Sequence, residues 1–215
     1  MFTPDGILTY VECYVDADFA GNYSSDTYED PNSVKSRTGC VIKYAGCPII
    51  WFSKIQQEIC LSTTEAEYVA LSTAAREVLP LRELILEIKD ILKIPEADLL
   101  IRCTLFEDNK GAEELAKVSK NRPRTKHIAT KYHHFRESVK NGTLLIKRVE
   151  TSHQLADIFT KALPKQSLEY LRHQIMGWTA ILSHGHLGMN TFSSLIEKCL
   201  GFKSTNKSPK SKDKH

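Results

Sequence analysis

The sequence predicts an α/β domain, a mixed β-sheet with helices packed on it. Three observations lead there. Short runs rich in Val, Ile, Tyr and Cys recur along the chain, as strands do. The first three precede any long helical stretch, whereas the later ones are separated by helices, the arrangement that builds a mixed sheet. The longest helical stretch carries an apolar stripe, Ala70, Leu71, Ala74 and Val78, that needs a sheet to cover it.

The elements follow in order. Leu8 to Ala17 reads as a strand, and the Ser-, Asp- and Asn-rich stretch from Asn22 to Ser36, with Pro31, as a loop. Gly39 to Tyr44 and Pro48 to Ser53 read as two strands of a hairpin around Ala45-Gly46-Cys47. A long helix starts near Ser62, where Ser62 and Glu65 have the spacing of a capping box. Pro80 is expected to interrupt it, with Arg82 and Glu83 outward after a restart. Leu99 to Phe106 is a strand, Asn109 to Val118 a short helix and Ser119 to Lys126 a basic loop around Pro123. Ile128 to Lys140 reads as a helix stopped by Asn141-Gly142, and Thr143 to Val149 as a strand. His153 to Leu163, ended by Pro164, and Ser167 to Met176 read as the last helices. There is no internal repeat.

Composition sets wider bounds. The chain has 215 residues, 41% hydrophobic and 26% charged, which suits one globular domain with or without appendages. A net charge of +3 permits nucleic-acid binding without requiring it. The six cysteines form no CxxC pair and lie mostly in apolar runs, which reads as reduced core thiols in an intracellular protein. No stretch is long and apolar enough to span a membrane, and no secretion signal is expected. Residues 1–7 read as a linker, residues 179–202 as an extension of uncertain role, and the Lys- and Ser-rich residues 203–215 as a disordered basic tail.

Four stretches bear on chemistry. "YVDADFAG" places Asp16 and Asp18 on one face if the strand persists to Asp18. A polymerase-type pair would be adjacent on a hairpin turn, so that reading is rejected; a solvated strand end remains the plain alternative. Glu67 opens the apolar stripe of the long helix, where a carboxylate needs a partner, a metal ion or water at the rim. Asp108 in "LFEDNKG" lies at the carboxyl end of a strand, the edge where open sheets bind ligands, although it can also cap the next helix. Glu107 is expected on the opposite face. Asp157 lies amid Leu155, Ala156, Ile158 and Phe159, as a ligand or as a stabiliser of a helix start.

"YVDADFAG", "SRTGCVIKYAGCPIIWFSKIQ", "LSTTEAEYVALS", "DNKGA", "KHIATKYHHFRE" and "QLADIFTKAL" together resemble the ribonuclease H domain of copia-type retrotransposon Pol polyproteins. The resemblance runs from about Leu8 to Trp178, so residues 8–178 form the expected domain. It implies a ribonuclease H-like fold, a five-stranded mixed sheet flanked by helices. It also implies a metal-dependent endonuclease that cuts the RNA strand of RNA–DNA hybrids during reverse transcription. The family's carboxylate tetrad falls on Asp16, Glu67, Asp108 and Asp157, with Asp18 in support. Two Mg²⁺ ions, replaceable by Mn²⁺, suit four oxygen donors. Asp16 would bridge them, Glu67 and Asp108 would bind one ion, and Asp157 the other. No small-molecule cofactor and no membrane are implied.

The expected partners are the RNA–DNA hybrid and the upstream reverse transcriptase domain of the same polyprotein. The expected setting is the cytoplasm, in virus-like particles, and the nucleus. Arg37 and Thr38, and Arg124, Lys126 and His127 of the loop "KNRPRTKH", are the candidates for substrate contact. His153, near Asp157, is a candidate for proton transfer or product release, with a plain helix-start role as the alternative. His133-His134 and the "SHGH" motif lack zinc-like partners. A transposase or integrase core would end its acidic set with a glutamate on a late helix, unlike this chain. A silent or domesticated nucleic-acid-binding domain is the remaining alternative.

Overall fold

The strand runs form one sheet. In a computed structural model of the chain, residues 7–94, 99–117 and 130–177 are described. Every described helix and strand lies within the unit Met1–Met176. Five strands, β1 (Ile7–Asp18), β2 (Arg37–Tyr44), β3 (Cys47–Ile55), β4 (Leu99–Glu107) and β5 (Leu144–Arg148), lie in the order β3-β2-β1-β4-β5. The β1–β2 and β2–β3 pairs are antiparallel, and the β1–β4 and β4–β5 pairs are parallel. This is the five-stranded mixed sheet flanked by helices that the resemblance implies.

Alternation sends side chains to two apolar layers. Val11, Cys13, Val15 and Ala17 of β1 pack in the larger core with Cys40, Ile42, Cys103 and Leu105. Helix α1 (Thr63–Ile91) closes that face with Ala66, Ala70, Leu71, Ala74 and Val78. On the other face Val41 packs with Leu155 and with Leu171 and Ile175 of α4 (Lys165–Met176). The hairpin between β2 and β3 turns through Ala45 and Gly46, both at positive φ (51° and 85°). Positive φ at two central residues gives the turn whose twist matches its strands.

Several local expectations change. Helix α1 runs unbroken through Pro80. An internal proline costs about 3 kcal/mol, and here burial of Val78 before it and Ile85 after it sustains one continuous face. At the start of α1 the Ser62 hydroxyl accepts from Glu65 N–H at 3.2 Å, but Glu65 reaches back to Leu61 N–H, at 2.7 Å, one residue earlier than a capping box requires. The stretch expected as one helix before β5 contains a 3₁₀ turn (Thr130–His133) and a short helix α3 (Arg136–Lys140). Tyr68 Oη lies 2.6 Å from His133 Nδ1 and Phe135 is fully buried, so tertiary contacts override the helical period. The stretch after β5 is likewise not α-helical. It makes two 3₁₀ turns, Thr151–His153 and Leu155–Phe159, parted at Gln154. Helix α2 (Lys110–Lys117) starts one residue later than expected, with Asn109 Oδ1 accepting from Ala112 N–H at 3.1 Å.

The five described cysteines are all free, four of them buried and Cys47 exposed. No described helix is long and apolar enough to cross a membrane.

Candidate metal centre

The parallel strands β1, β4 and β5 end at one edge of the sheet, and the acidic residues gather there. Asp16 sits near the carboxyl end of β1, and Asp108 directly follows β4. Asp157 lies in the 3₁₀ turn after β5, and Glu67 in the early turns of α1. Asp16, Glu67 and Asp108 bring one carboxylate oxygen each to within 4.8 Å of one another. Asp16 is fully buried and Glu67 is 4% exposed. Thr151 Oγ1 donates to Asp108 Oδ2 at 2.8 Å, and Thr160 Oγ1 donates to Asp16 Oδ2 at 2.5 Å, so one oxygen of each aspartate is oriented. Lys161 Nζ joins the fourth carboxylate to the first, 3.1 Å from Asp16 Oδ1 and 3.0 Å from Asp157 Oδ1.

Charge is concentrated here with little water to screen it. Burial, then the charges of Glu107, Asp16 and Asp108, push the Glu67 carboxyl far above the usual carboxylate range. Burial and the charge of Asp16 raise Asp157 to about 6, against the pull of Lys161. Burial works to lower Lys161, but Asp16 and Asp157 raise it, so its ammonium stays charged. Glu67 Oε2 is buried with no hydrogen-bond partner. A glutamate with an orphaned oxygen, clustered with two more carboxylates so that only hard oxygen donors are offered, fits Mg²⁺ or Mn²⁺.

Two contacts position the Asp157 turn. Gln154 is fully buried; its Nε2 donates to Val15 O at 2.9 Å and to Phe106 O at 3.4 Å, and its Oε1 accepts from Ala156 N–H at 3.3 Å. It therefore fills the place where β1 and β4 part, since their register ends at Tyr14↔Phe106. Gly39 pairs with Asp16 across β1–β2. A Cβ there would come within 2.8 Å of Ala156 O and 2.6 Å of Thr160 Cγ2, so only glycine lets the Asp157 turn lie this close to the sheet.

The remaining candidates are spread more widely. Strand β1 does persist to Asp18, which shares the Asp16 face and is half-buried at its edge. His153 lines an open cavity of about 620 Å³ together with Asp157, Thr151 and Tyr170, and its Nδ1 lies 3.0 Å from Ser152 Oγ. Arg37 donates to Ser53 Oγ at 3.2 Å. Thr38 is turned inward: it is 2% exposed and its hydroxyl accepts from Gln56 Nε2 at 3.0 Å, which removes it as a surface for a substrate strand. Arg124, Lys126 and His127 lie outside the described residues.

Glu107 keeps the alternation of β4 yet lies close to the carboxylate cluster. It is fully buried, follows Cys103 and Leu105 toward α1, and acts on Glu67 through its charge; Asp108 lies beyond the strand and escapes the alternation. The run Cys103, Leu105, Glu107 was the signal. Lys161 was also missed, although it stands four residues after Asp157.

Sheet order and acidic edge together define the class: a ribonuclease H-like domain with a carboxylate site at the ends of its parallel strands. Its homologues are copia-type retrotransposon Pol polyproteins. The chain is 33% identical over 162 residues to the Retrovirus-related Pol polyprotein from transposon TNT 1-94 of Nicotiana tabacum, covering 75% of this chain. It is also 33% identical over 175 residues, 81% of this chain, to that from transposon RE2 of Arabidopsis thaliana. The chain spans only 11% of the length of either relative. No protein-family model matches. Among solved structures, the N-terminal RNase H domain of a Mycobacterium tuberculosis protein aligns with 77% of this chain and 97% of its own, at 12% identity and a TM-score of 0.45.

Proposed function

We propose that this domain is a metal-dependent endonuclease that hydrolyses the RNA strand of RNA–DNA hybrids, working beside a reverse transcriptase domain of the same polyprotein. The observation that supports it most is the convergence of Asp16, Glu67 and Asp108 oxygens within 4.8 Å at the edge of a buried sheet, with Glu67 Oε2 unpartnered. Kinship with retrotransposon Pol polyproteins supports the setting.

In this reading Asp16, Glu67 and Asp108 would hold one ion, and Asp16 and Asp157 a second. Mg²⁺ or Mn²⁺ bound there supplies a water acidic enough to attack phosphorus and a positive charge for the leaving oxygen. The chain's own groups do the rest. Thr160 and Thr151 each donate to one aspartate oxygen; this leaves the opposite oxygen of Asp108 for a ligand, whereas that of Asp16 is held by Lys161. Gln154 and Gly39 fix the Asp157 turn against β1. The sheet beneath excludes water from Asp16. In this reading His153, beside Asp157 in the open cavity, and Arg37 would contact the nucleic acid.

The test is a labelled RNA–DNA hybrid in Mg²⁺. Cleavage should leave a 5′-phosphate and a 3′-hydroxyl, a DNA duplex of the same sequence should survive, and Asp108→Asn should abolish the reaction. Hybrid binding without cleavage would favour a silent binding domain. A 2′,3′-cyclic phosphate end, or full activity in excess chelator, would sink the two-metal reading.

A further inference from the structure

The four carboxylates are not equivalent. Asp16, Glu67 and Asp108 converge with an unpartnered oxygen among them. The Asp16–Asp157 side is already spanned by a cation, Lys161 Nζ, 3.1 Å and 3.0 Å from one oxygen of each. Asp16 is fully buried, so its charge needs a close partner when no ion is bound. Lys161 meets that need, yet its side chain is 36% exposed and lies on a bend after the 3₁₀ turn, so its four-carbon stem has a way out to solvent. An ammonium and a divalent ion cannot share those two oxygens, because like charges a few ångströms apart repel strongly.

We propose that Lys161 is a resident counter-cation of the Asp16–Asp157 pair, and that a divalent ion enters between these two carboxylates only by displacing it. This rests on the metal-centre reading above. Ion entry is then ordered. The first ion goes to the Asp16–Glu67–Asp108 group, where Glu67 has an unpartnered oxygen, and draws on the charge of Asp16. That loosens Asp16's hold on Lys161, and the second ion replaces the ammonium. The lysine keeps the metal-free site intact and makes its second half bind more weakly.

The experiment measures Mn²⁺ binding to the full chain by calorimetry and electron paramagnetic resonance, without substrate. Two unequal sites are expected, and Asp157→Asn should remove the weaker one. Lys161→Met, which keeps the stem and loses the charge, should tighten the weaker site about tenfold, because the fraction of sites open to the ion rises. It should also lower the melting temperature in chelator, and Mn²⁺ should restore it. An unchanged or weakened second site in folded Lys161→Met overturns the proposal, as does a variant that stays unfolded in Mn²⁺. Lys161→Arg provides a second reading: a fork that grips both carboxylates should weaken the second site about tenfold, and an unchanged one counts against displacement. Hybrid cleavage by the parent alongside an unmoved second site would leave the nuclease reading standing while this proposal falls. A parent that binds no Mn²⁺ at all would remove both.

Discussion

Replacing Gln154 by leucine tests whether one buried amide fixes the relative placement of β1, β4 and the Asp157 turn. The substitution roughly conserves volume, so little cavity forms. It removes the bonds to Val15 O at 2.9 Å, Phe106 O at 3.4 Å and Ala156 N–H at 3.3 Å, all at a fully buried position. The shortest should matter most, since leaving a buried carbonyl unpaired costs about 1–3 kcal/mol. The two longer bonds add less, and a total of about 3 kcal/mol is reasonable. For a domain of this size that corresponds to a fall in melting temperature of roughly 6–12 °C. Urea unfolding measures the free energy directly, and Mn²⁺ titration should show the site that needs Asp157 weakened more than the other. A loss below about 0.5 kcal/mol, within the range of ordinary surface changes, would refute the idea that this amide positions the turn.

Other expectations follow from the same geometry. Gly39→Ala should destabilise by about 2 kcal/mol, since the new methyl meets backbone at Ala156 and must push the turn off the sheet; thermal melting checks it. Glu67→Gln should abolish hybrid cleavage while leaving the metal-free protein as stable or about 1 kcal/mol more so, because a neutral amide replaces a buried carboxyl whose ionised form is strongly disfavoured there. Glu65→Gln should cost only about 1 kcal/mol of helix capping and leave cleavage intact. Asp157, raised to about 6 from an ordinary 3.8, favours the folded state fully below the lower value, and that contribution is lost as pH rises through the higher one. In chelator the melting temperature should therefore fall across that window, and Mn²⁺ should flatten the slope.

What the sequence disclosed, it disclosed through period and ordered motifs. The strands of β1, β2 and β3, the Ala70–Val78 stripe and the carboxylates at strand and helix ends are local patterns, visible without a partner. The continuity of α1 past Pro80 was hidden because it depends on the core that Val78 and Ile85 share with other elements. The 3₁₀ turns around Asp157 were hidden because Gln154 makes its decisive bond 139 residues away, to Val15. Thr38 looked like surface beside Arg37, and only the packing of Gln56 shows its hydroxyl facing inward. Lys161 required knowing that two aspartates distant in sequence meet at one ammonium.

That ammonium bridge bears on how the protein is made. Asp16 emerges from the ribosome before the groups that orient and neutralise it, Thr160 and Lys161, which follow 144 and 145 residues later. A nascent chain has the β2–β3 hairpin and most of α1 before either arrives, and domains fold as their segments become available. Until then the buried edge of β1 carries an uncompensated acid, which favours a loosely closed sheet. The turn that follows β5 both shuts that edge and completes the acidic set. Translation arrested before Gln154 should thus yield a chain with the hairpin and helix in place but an open, protease-sensitive carboxylate edge.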